Sequence, residues 1–344
     1  MPSLLTHPLN IFYLTGVQSS HATLLNTGKK NYLITDGRYI EKAQKKSRFK
    51  NFSAIDPKND YKKTIQSLLK KHKINTLEYE DHRLTVKNFN ILKKTARGLG
   101  IKWKPIQHPI EELRAIKSAS ELKAIQTAQH LTDQIFYSIR TILRQGMAEI
   151  EIANFIKKKT FDHLNASLAF EPIVAFGQNT SIPHHDASLK KLKKGEIILV
   201  DMGVAYHGYA SDMTRMIFTK TPTEQEEKIY NLVLLGQKTT FDALRPEVMA
   251  KTLDTKVRRV FKKAGYPTQF THSLGHGVGL EIHEMPSLSA KSKTILKPNM
   301  VVTLEPGLYF PGEFGVRIED LVLVTATGAK TLTKTSKEIS LTCL

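Results

Sequence analysis

Cysteine is almost missing from this chain. Of 344 residues a single one, Cys343, is a cysteine, so no internal disulfide can form, and its position does not fit a prenylation box. We read it as an incidental thiol. Long apolar runs are missing too. No stretch approaches the ~20 apolar residues of a membrane span, and the opening residues Met1 to Asn10 lack the basic segment and clean apolar run of a secretory leader. The expectation is a cytoplasmic protein with no membrane partner. Negative charge is in short supply: 51 Lys and Arg face 32 Asp and Glu, a formal charge of +19. Such an excess would suit a nucleic-acid partner. Residues 1–112 hold 21 basic against 9 acidic residues, so +12 of the excess lies in the first third. These lysines come as dispersed doublets, Lys62-Lys63, Lys70-Lys71 and Lys93-Lys94, without interleaved aromatics or an RNA or DNA motif. We read them as a solvated surface and expect no specific nucleic-acid partner.

Acids and imidazoles in particular settings are what the chain does have. Asp201, Asp212, His276, Glu305 and Glu319 each sit in a short motif of their own. Four carboxylates and one ring nitrogen form a hard, mixed oxygen and nitrogen donor set that suits manganese, cobalt, iron or zinc, and four carboxylates neutralise two divalent cations. Asp201 and Glu319 are embedded among Ile, Val and Leu, where an unpaired charge costs several kcal/mol. Arg215 and Arg317 are the cations at hand for buried salt bridges, and two arginines cannot balance four acids. Asp320 is read as a solvent-facing acid.

The local pattern predicts how these residues meet. Glu196 to Gly203 reads as a buried strand, Tyr206-His207-Gly208-Tyr209 as a turn and Ser211 to Phe218 as the returning strand. That hairpin brings Asp201 and Asp212 opposite or diagonal on one face. Met300 to Glu305 and Gly315 to Val324 read as a second pair of strands joined by a Pro- and Gly-rich loop over 306–315, so that Glu305 and Glu319 face each other. Arg317, two residues before Glu319 and on the same strand face, is expected to orient the carboxylates rather than react. Gly275 and Gly277 leave room for a cation to approach His276, whereas bulky Ile282 and Glu284 flank His283.

The five motifs in this order resemble the metal site of the pita-bread metallopeptidases. Pro183-His184-His185, Gly275 to Glu284 and Gly315 to Asp320 are similar to the Xaa-Pro peptidase branch. The likeness spans essentially the whole chain: Ser118-Ala119-Ser120-Glu121 resembles the start of the branch's catalytic domain, and Ile34 to Tyr39 a segment of its N-terminal domain. The resemblance implies two divalent ions, manganese first and cobalt, zinc or iron next, bound by Asp201, Asp212, His276, Glu305 and Glu319. It implies hydrolysis of the Xaa-Pro bond at the N-terminus of peptides, as in aminopeptidase P, by a hydroxide bridging the ions. An Xaa-Pro dipeptidase (prolidase) is the alternative, and a non-catalytic binding protein on the same fold a more distant one. His184, His272 and His283 become substrate-binding residues, with His184, His283 and Glu305 catalytic: His283 steadies the developing oxyanion and Glu305 shuttles the proton. His185 is left out of this set. A homodimer is implied as well.

The length suits two domains. Pro105 and Pro109 discourage regular structure, and Ser118 with Glu121 forms a capping box before an amphipathic run to about Leu143. The junction is placed near 112. We therefore expect an α+β protein, with a small N-terminal α/β domain over 1–112 and a pita-bread catalytic domain over 113–344, its curved antiparallel sheet covered by outer helices. Tyr32 to Thr35 and Thr76 to Tyr79 read as strands and Tyr61 to His72 as a helix. Thr221 is the expected cap of a later helix with Pro222 at its first position. The two acid-bearing hairpins hint at a duplicated construction, although spacing alone establishes no repeat.

Overall fold

The computed structural model describes residues 1–58, 60–107 and 109–339; Cys343 lies outside them. The chain forms two compact units, Met1–Arg114 and Ala115–Leu344. No helix among the described residues is long and apolar enough to cross a membrane.

In the first unit the strands β1 (Ser3–Leu5), β2 (Ala22–Asn26), β3 (Asn31–Thr35), β4 (Phe52–Ile55), β5 (Thr76–Glu80) and β6 (Lys102–Ile106) make one sheet in the order β4-β3-β2-β1-β5-β6. Helices α1 (Pro8–Thr15), α2 (Gly37–Lys46), α3 (Tyr61–Lys71), α4 (Val86–Thr95) and α5 (Pro109–Ala115) accompany it. The two-residue period of a strand sends its side chains to opposite faces. Leu33 accordingly joins Leu5, Ile11, Leu24 and Ala43, while Tyr32 and Ile34 join Leu4, Leu25, Ile65, Leu68 and Leu92. Both faces are covered, and the unit is a layered α/β structure. The two prolines expected to interrupt regular structure do not. Pro105 lies in β6, an edge strand where a missing N–H is tolerated, and Pro109 opens α5, where its fixed φ suits the first turn.

The second unit opens with α6 (Ala119–Ile142) and α7 (Glu149–Phe161). Ser118 and Glu121 close the capping box of α6 as the sequence predicts. There follow β7 (Ala166–Leu168), β8 (Ile173–Phe176), β9 (Ile197–Met202), β10 (Val204–Tyr206), β11 (Tyr209–Ala210) and β12 (Met213–Phe218). Then come α8 (Glu224–Ala243), α9 (Ala250–Lys263), β13 (Gly275–Gly277), β14 (Glu284–Leu288), β15 (Val301–Leu304), β16 (Gly307–Phe310), β17 (Phe314–Arg317), β18 (Asp320–Val324) and β19 (Ala329–Thr331). The strand pairs of this unit are antiparallel. The cap of α8 is Thr223 rather than Thr221, because Glu226 stands three residues after Thr223 and completes a reciprocal box with it.

The loop expected over 306–315 is also corrected. Gly307 to Phe310 and Phe314 to Arg317 pair with each other as the β16–β17 hairpin, nested between β15 and β18. Apolar Leu308, Phe314 and Val316 alternate along it and join the core, which holds a Pro- and Gly-flanked segment in strand form.

The two halves of this unit repeat one construction. Before α7, Gly146 N donates to Leu192 O at 2.9 Å and Leu192 N to Met147 O at 2.8 Å; before α9, Glu247 N donates to Leu296 O at 3.0 Å and Leu296 N to Val248 O at 2.9 Å. Three residues on, Gly195 and Asn299 take left-handed backbone conformations leading into β9 and β15, and glycine and asparagine are the residues that tolerate them. Helices α6 and α7 cover Ile198, Val200, Met213 and Ile217, whereas α8 and α9 cover Ile197, Leu199, Val302 and Leu304. Asp201 is in phase with Ile197 and Leu199 and opens from the end of that apolar row into the site.

Candidate metal centre

The acids come together at the ends of these two repeated constructions. Asp201, on β9, lies opposite Thr214 of β12, so Asp212 is diagonal to it. Leu304 of β15 pairs with Asp320 of β18, which sets Glu305 and Glu319 beside each other. The two halves join where Glu319 N donates to Thr214 O at 3.2 Å. His276 is carried by β13, between β14 and β15. The expected residues, His184, Asp201, Asp212, His272, His276, His283, Glu305, Arg317 and Glu319, line one cavity of about 580 Å³.

Donor atoms of Asp212, His276 and Glu319 lie within 4.8 Å of one another. Nε2 of His276 is 3.6 Å from Asp212 Oδ2 and 3.3 Å from Glu305 Oε1. Asp201 divides its oxygens between two surroundings. Oδ2 accepts from Arg317 Nη2 at 2.6 Å, while Oδ1 is buried without a hydrogen-bond partner. A buried, unpartnered carboxylate oxygen is costly unless something positive meets it.

The electrostatics point the same way. Burial pushes the carboxyls of Asp212 and Glu319 well above the usual range, and their carboxylate neighbours add to this more than Arg317 relieves it. Burial likewise lifts Glu305 to about 8. His276 is pushed down to about 4 by burial, and so is neutral at pH 7 with a lone pair to offer. One guanidinium cannot balance four carboxylates, and divalent cations fit this donor set in sign of charge and in ligand type.

Around the acids stands a scaffold of hydrogen bonds. Arg317 donates through Nε to Thr214 Oγ1 at 3.0 Å and through Nη1 to the Tyr309 hydroxyl at 2.8 Å and to Pro183 O at 3.2 Å. Thr214 Oγ1 donates on to Glu319 Oε2 at 2.7 Å. The Tyr309 hydroxyl is 2.9 Å from His272 Nε2, and His272 Nδ1 is 2.9 Å from Ser273 O. Burial first, and then the neighbouring Arg317 charge, push His272 down to about 3, which keeps its ring neutral within this chain of bonds. Thr303 Oγ1 accepts from His276 N at 3.0 Å and donates to Glu305 Oε1 at 3.3 Å. His184 and His283 are exposed on the cavity wall, the His283 ring standing edge-on to His276 with centroids 4.4 Å apart.

Tyr309, Thr214 and Thr303 are absent from the set read from sequence. Tyr309 falls in the segment taken for a loop, and the threonines occupy buried strand positions where a residue that braces a ligand looks like any strand residue. Two further readings are corrected. Asp320 is buried rather than solvent-facing: Arg215 Nη2 reaches across from β12 to Asp320 Oδ1 at 2.6 Å, and Lys337 Nζ meets Oδ2 at 2.5 Å. The glycines beside His276 make room for backbone rather than for a cation. A Cβ on Gly275 would stand 2.2 Å from Thr303 O, and one on Gly277 2.2 Å from Met285 O.

Comparison with known proteins follows the same division of the chain. Residues 123–326 match metallopeptidase family M24, and residues 3–116 match the creatinase/prolidase N-terminal domain. An Xaa-Pro dipeptidase of Pyrococcus furiosus is 41% identical over 237 residues, covering 69% of this chain and 68% of the relative. Among solved structures, an Xaa-Pro dipeptidase from Bacillus anthracis superposes with a TM-score of 0.94 at 33% identity, covering 99% of this chain and 94% of the other. An X-Pro aminopeptidase from Thermotoga maritima superposes with a TM-score of 0.89 at 28% identity, covering 99% and 97%.

Proposed function

The chain belongs to metallopeptidase family M24, and on that premise we propose that it hydrolyses the Xaa-Pro bond at the N-terminus of peptides, in the manner of aminopeptidase P. The observation that carries this reading is the cluster of four acids and one neutral imidazole around a single cavity, with an orphaned carboxylate oxygen and three acids whose proton affinity burial and mutual repulsion raise. Asp201, Asp212, His276, Glu305 and Glu319 would hold two divalent ions, manganese being our first choice. Such ions supply an acidified water and a Lewis acid toward the scissile carbonyl.

The chain's own groups do the rest. Glu305, at the edge of the acid cluster 3.3 Å from His276 Nε2, takes the proton of the attacking water on its carboxylate and passes it to the departing nitrogen. A proline nitrogen is tertiary and carries no hydrogen, so recognition cannot rest on an N–H there and the leaving group needs that proton. His283 donates to the oxyanion as the carbonyl turns tetrahedral, and His184 binds the peptide beside the scissile bond. Phe170, Pro172, Ile173 and Ile282 line the same cavity and offer apolar surface to a five-membered ring.

Aminopeptidase and dipeptidase differ in what meets a carboxylate next to the proline. Among the described lining residues the cations are Arg317 and Lys157. Arg317 is taken up by Asp201, Thr214, Tyr309 and Pro183, and Lys157 is paired with Glu171 at 2.5 Å. This supports longer peptides. The Xaa-Pro dipeptidase reading is favoured by the names of two of the three relatives and would have Lys157 exchange Glu171 for the substrate carboxylate. The test is parallel turnover of an Xaa-Pro dipeptide and an Xaa-Pro-Yaa tripeptide by manganese- or cobalt-loaded protein. Cleavage of the tripeptide alone is the expected result, cleavage of the dipeptide alone selects the second reading, and failure on both with metal bound removes the Xaa-Pro assignment.

A further inference from the structure

Glu149 is a buried carboxylate that takes no part in the chemistry above. It stands at the first turn of α7 with no solvent exposure, and it accepts hydrogen bonds from one stretch of chain, the last residue of β8 and the connection from there to β9. Oε1 accepts from Phe176 N at 2.8 Å and Asn179 Nδ2 at 2.9 Å. Oε2 accepts from His185 Nε2 at 2.8 Å, Ser188 N at 3.0 Å and Ser188 Oγ at 2.6 Å. The main chain returns the contact: Glu149 N donates to Lys190 O at 3.1 Å and Ile150 N to Ser188 O at 3.0 Å. Burial raises the carboxyl, but the bonds from Ser188, His185, Phe176 and Asn179 outweigh it and hold the group below its ordinary value, so it is ionised at pH 7.

The connection so gripped carries His184. On the other side of that residue, Arg317 Nη1 donates to Pro183 O at 3.2 Å, and Gly315 N donates to Thr180 Oγ1 at 2.8 Å. Pro183 and His185 are thus each held, one by the guanidinium that also holds Asp201, the other by the carboxylate on α7. Between them His184 is exposed on the cavity wall and has no hydrogen-bond partner among the described residues. A substrate-facing side chain that is free at its tip and clamped on both sides of its Cα is pre-organised without being consumed.

We propose that Glu149 and His185 are positioning residues: through His185 and Ser188 the Glu149 carboxylate fixes the backbone after His184, as Arg317 fixes it before, and so aims the His184 ring at the peptide. The role given to His184 rests on the function proposed above. His185 lines the cavity too, but its Nε2 is turned to Glu149 and acts on the substrate only through its neighbour.

The test uses the full chain loaded with manganese, an Xaa-Pro-Yaa tripeptide, and His185→Ala, which leaves Glu149 four donors and so keeps the fold. Metal content should stay at the wild-type value while kcat/KM falls about tenfold, the scale of a modest misplacement of a binding group. In a His184→Ala background the same change should cost nothing further, and His185→Gln, which restores a donor, should recover most of the loss. Amide hydrogen exchange over residues 182–190 of the metal-free protein should quicken in His185→Ala. A loss within twofold of wild type, an equal loss in the His184→Ala background, or reduced metal content overturns the proposal, as does unchanged exchange. Wild-type protein that binds metal yet leaves the peptide intact would instead remove the proposed function, and the exchange result would then judge the clamp by itself.

Discussion

Arg317→Met offers a strong test of the electrostatics. The arginine is 3% exposed and donates to Asp201, Thr214, Tyr309 and Pro183. Methionine fills much of the same volume but leaves Asp201 Oδ2 without its donor and removes the charge that offsets one of four carboxylates. Removing one member of a buried ion pair costs about 3–5 kcal/mol, because the other charge stays buried and uncompensated. For the unit Ala115–Leu344 that is a fall in Tm of roughly 6–20 °C, at about 2–4 °C per kcal/mol for a unit of this size. The fall should be largest in chelator, where nothing else opposes the acids. Saturating manganese binds only the folded site, contributes about 2.7 kcal/mol at a hundredfold excess over Kd, and meets the same carboxylates, so the gap between variant and wild type should narrow. Differential scanning calorimetry with EDTA and with manganese measures both. A metal-free variant that melts within a degree or so of wild type, or a gap that manganese leaves unchanged, would refute the reasoning.

Asp212→Asn should lose bound metal and nearly all turnover while circular dichroism stays native; two metals per chain at wild-type rate would rule out the ligand assignment. His283→Ala should keep both ions and lose about 2–4 kcal/mol of transition-state stabilisation, as for one oxyanion donor, whereas in His276→Ala occupancy and rate should fall together and added metal should restore part of the rate. Equal metal loss in the two variants would make His283 a ligand or a support. Metal-free protein should lose stability as pH rises from 6.5 to 8. Glu305 has a folded pKa of about 8 against 4.5 unfolded, so the folded state binds more protons in that window. Below 6.5 the depressed His272 and His276 act in the opposite sense, and a stability curve flat or rising between 6.5 and 8 would contradict this. Gly277→Ala sets a Cβ 2.2 Å from Met285 O, so β13 must shift and carry His276 with it; stability should fall by about 1–3 kcal/mol and metal affinity should fall too, and calorimetry with metal titration reads both.

What the amino-acid sequence determined by itself is what depends on near neighbours. The capping box of Ser118 and Glu121 closes over three residues, and the two-residue alternation of β9 decides that Asp201 shares a face with Ile197 and Leu199. The five acid and imidazole positions were legible because each lies in its own short motif, and a hard-donor set with four negative charges has few other uses. The β16–β17 hairpin was not legible, since Gly and Pro at its ends signal a turn while its strand form comes from Leu308 and Val316 packing into a distant core. Nor was the fate of the charges. Asp201 meets Arg317 across 116 positions, Thr214 meets Glu319 across 105 and His185 meets Glu149 across 36. Whether Asp320 faces water or Arg215 depends on which strand lies alongside. Residue type sets what a side chain can bond to, but burial and register set which partner it finds. In this protein that choice separates four carboxylates arranged for a pair of cations from two other buried acids: Glu149, satisfied by hydrogen-bond donors, and Asp320, paired with Arg215 and Lys337.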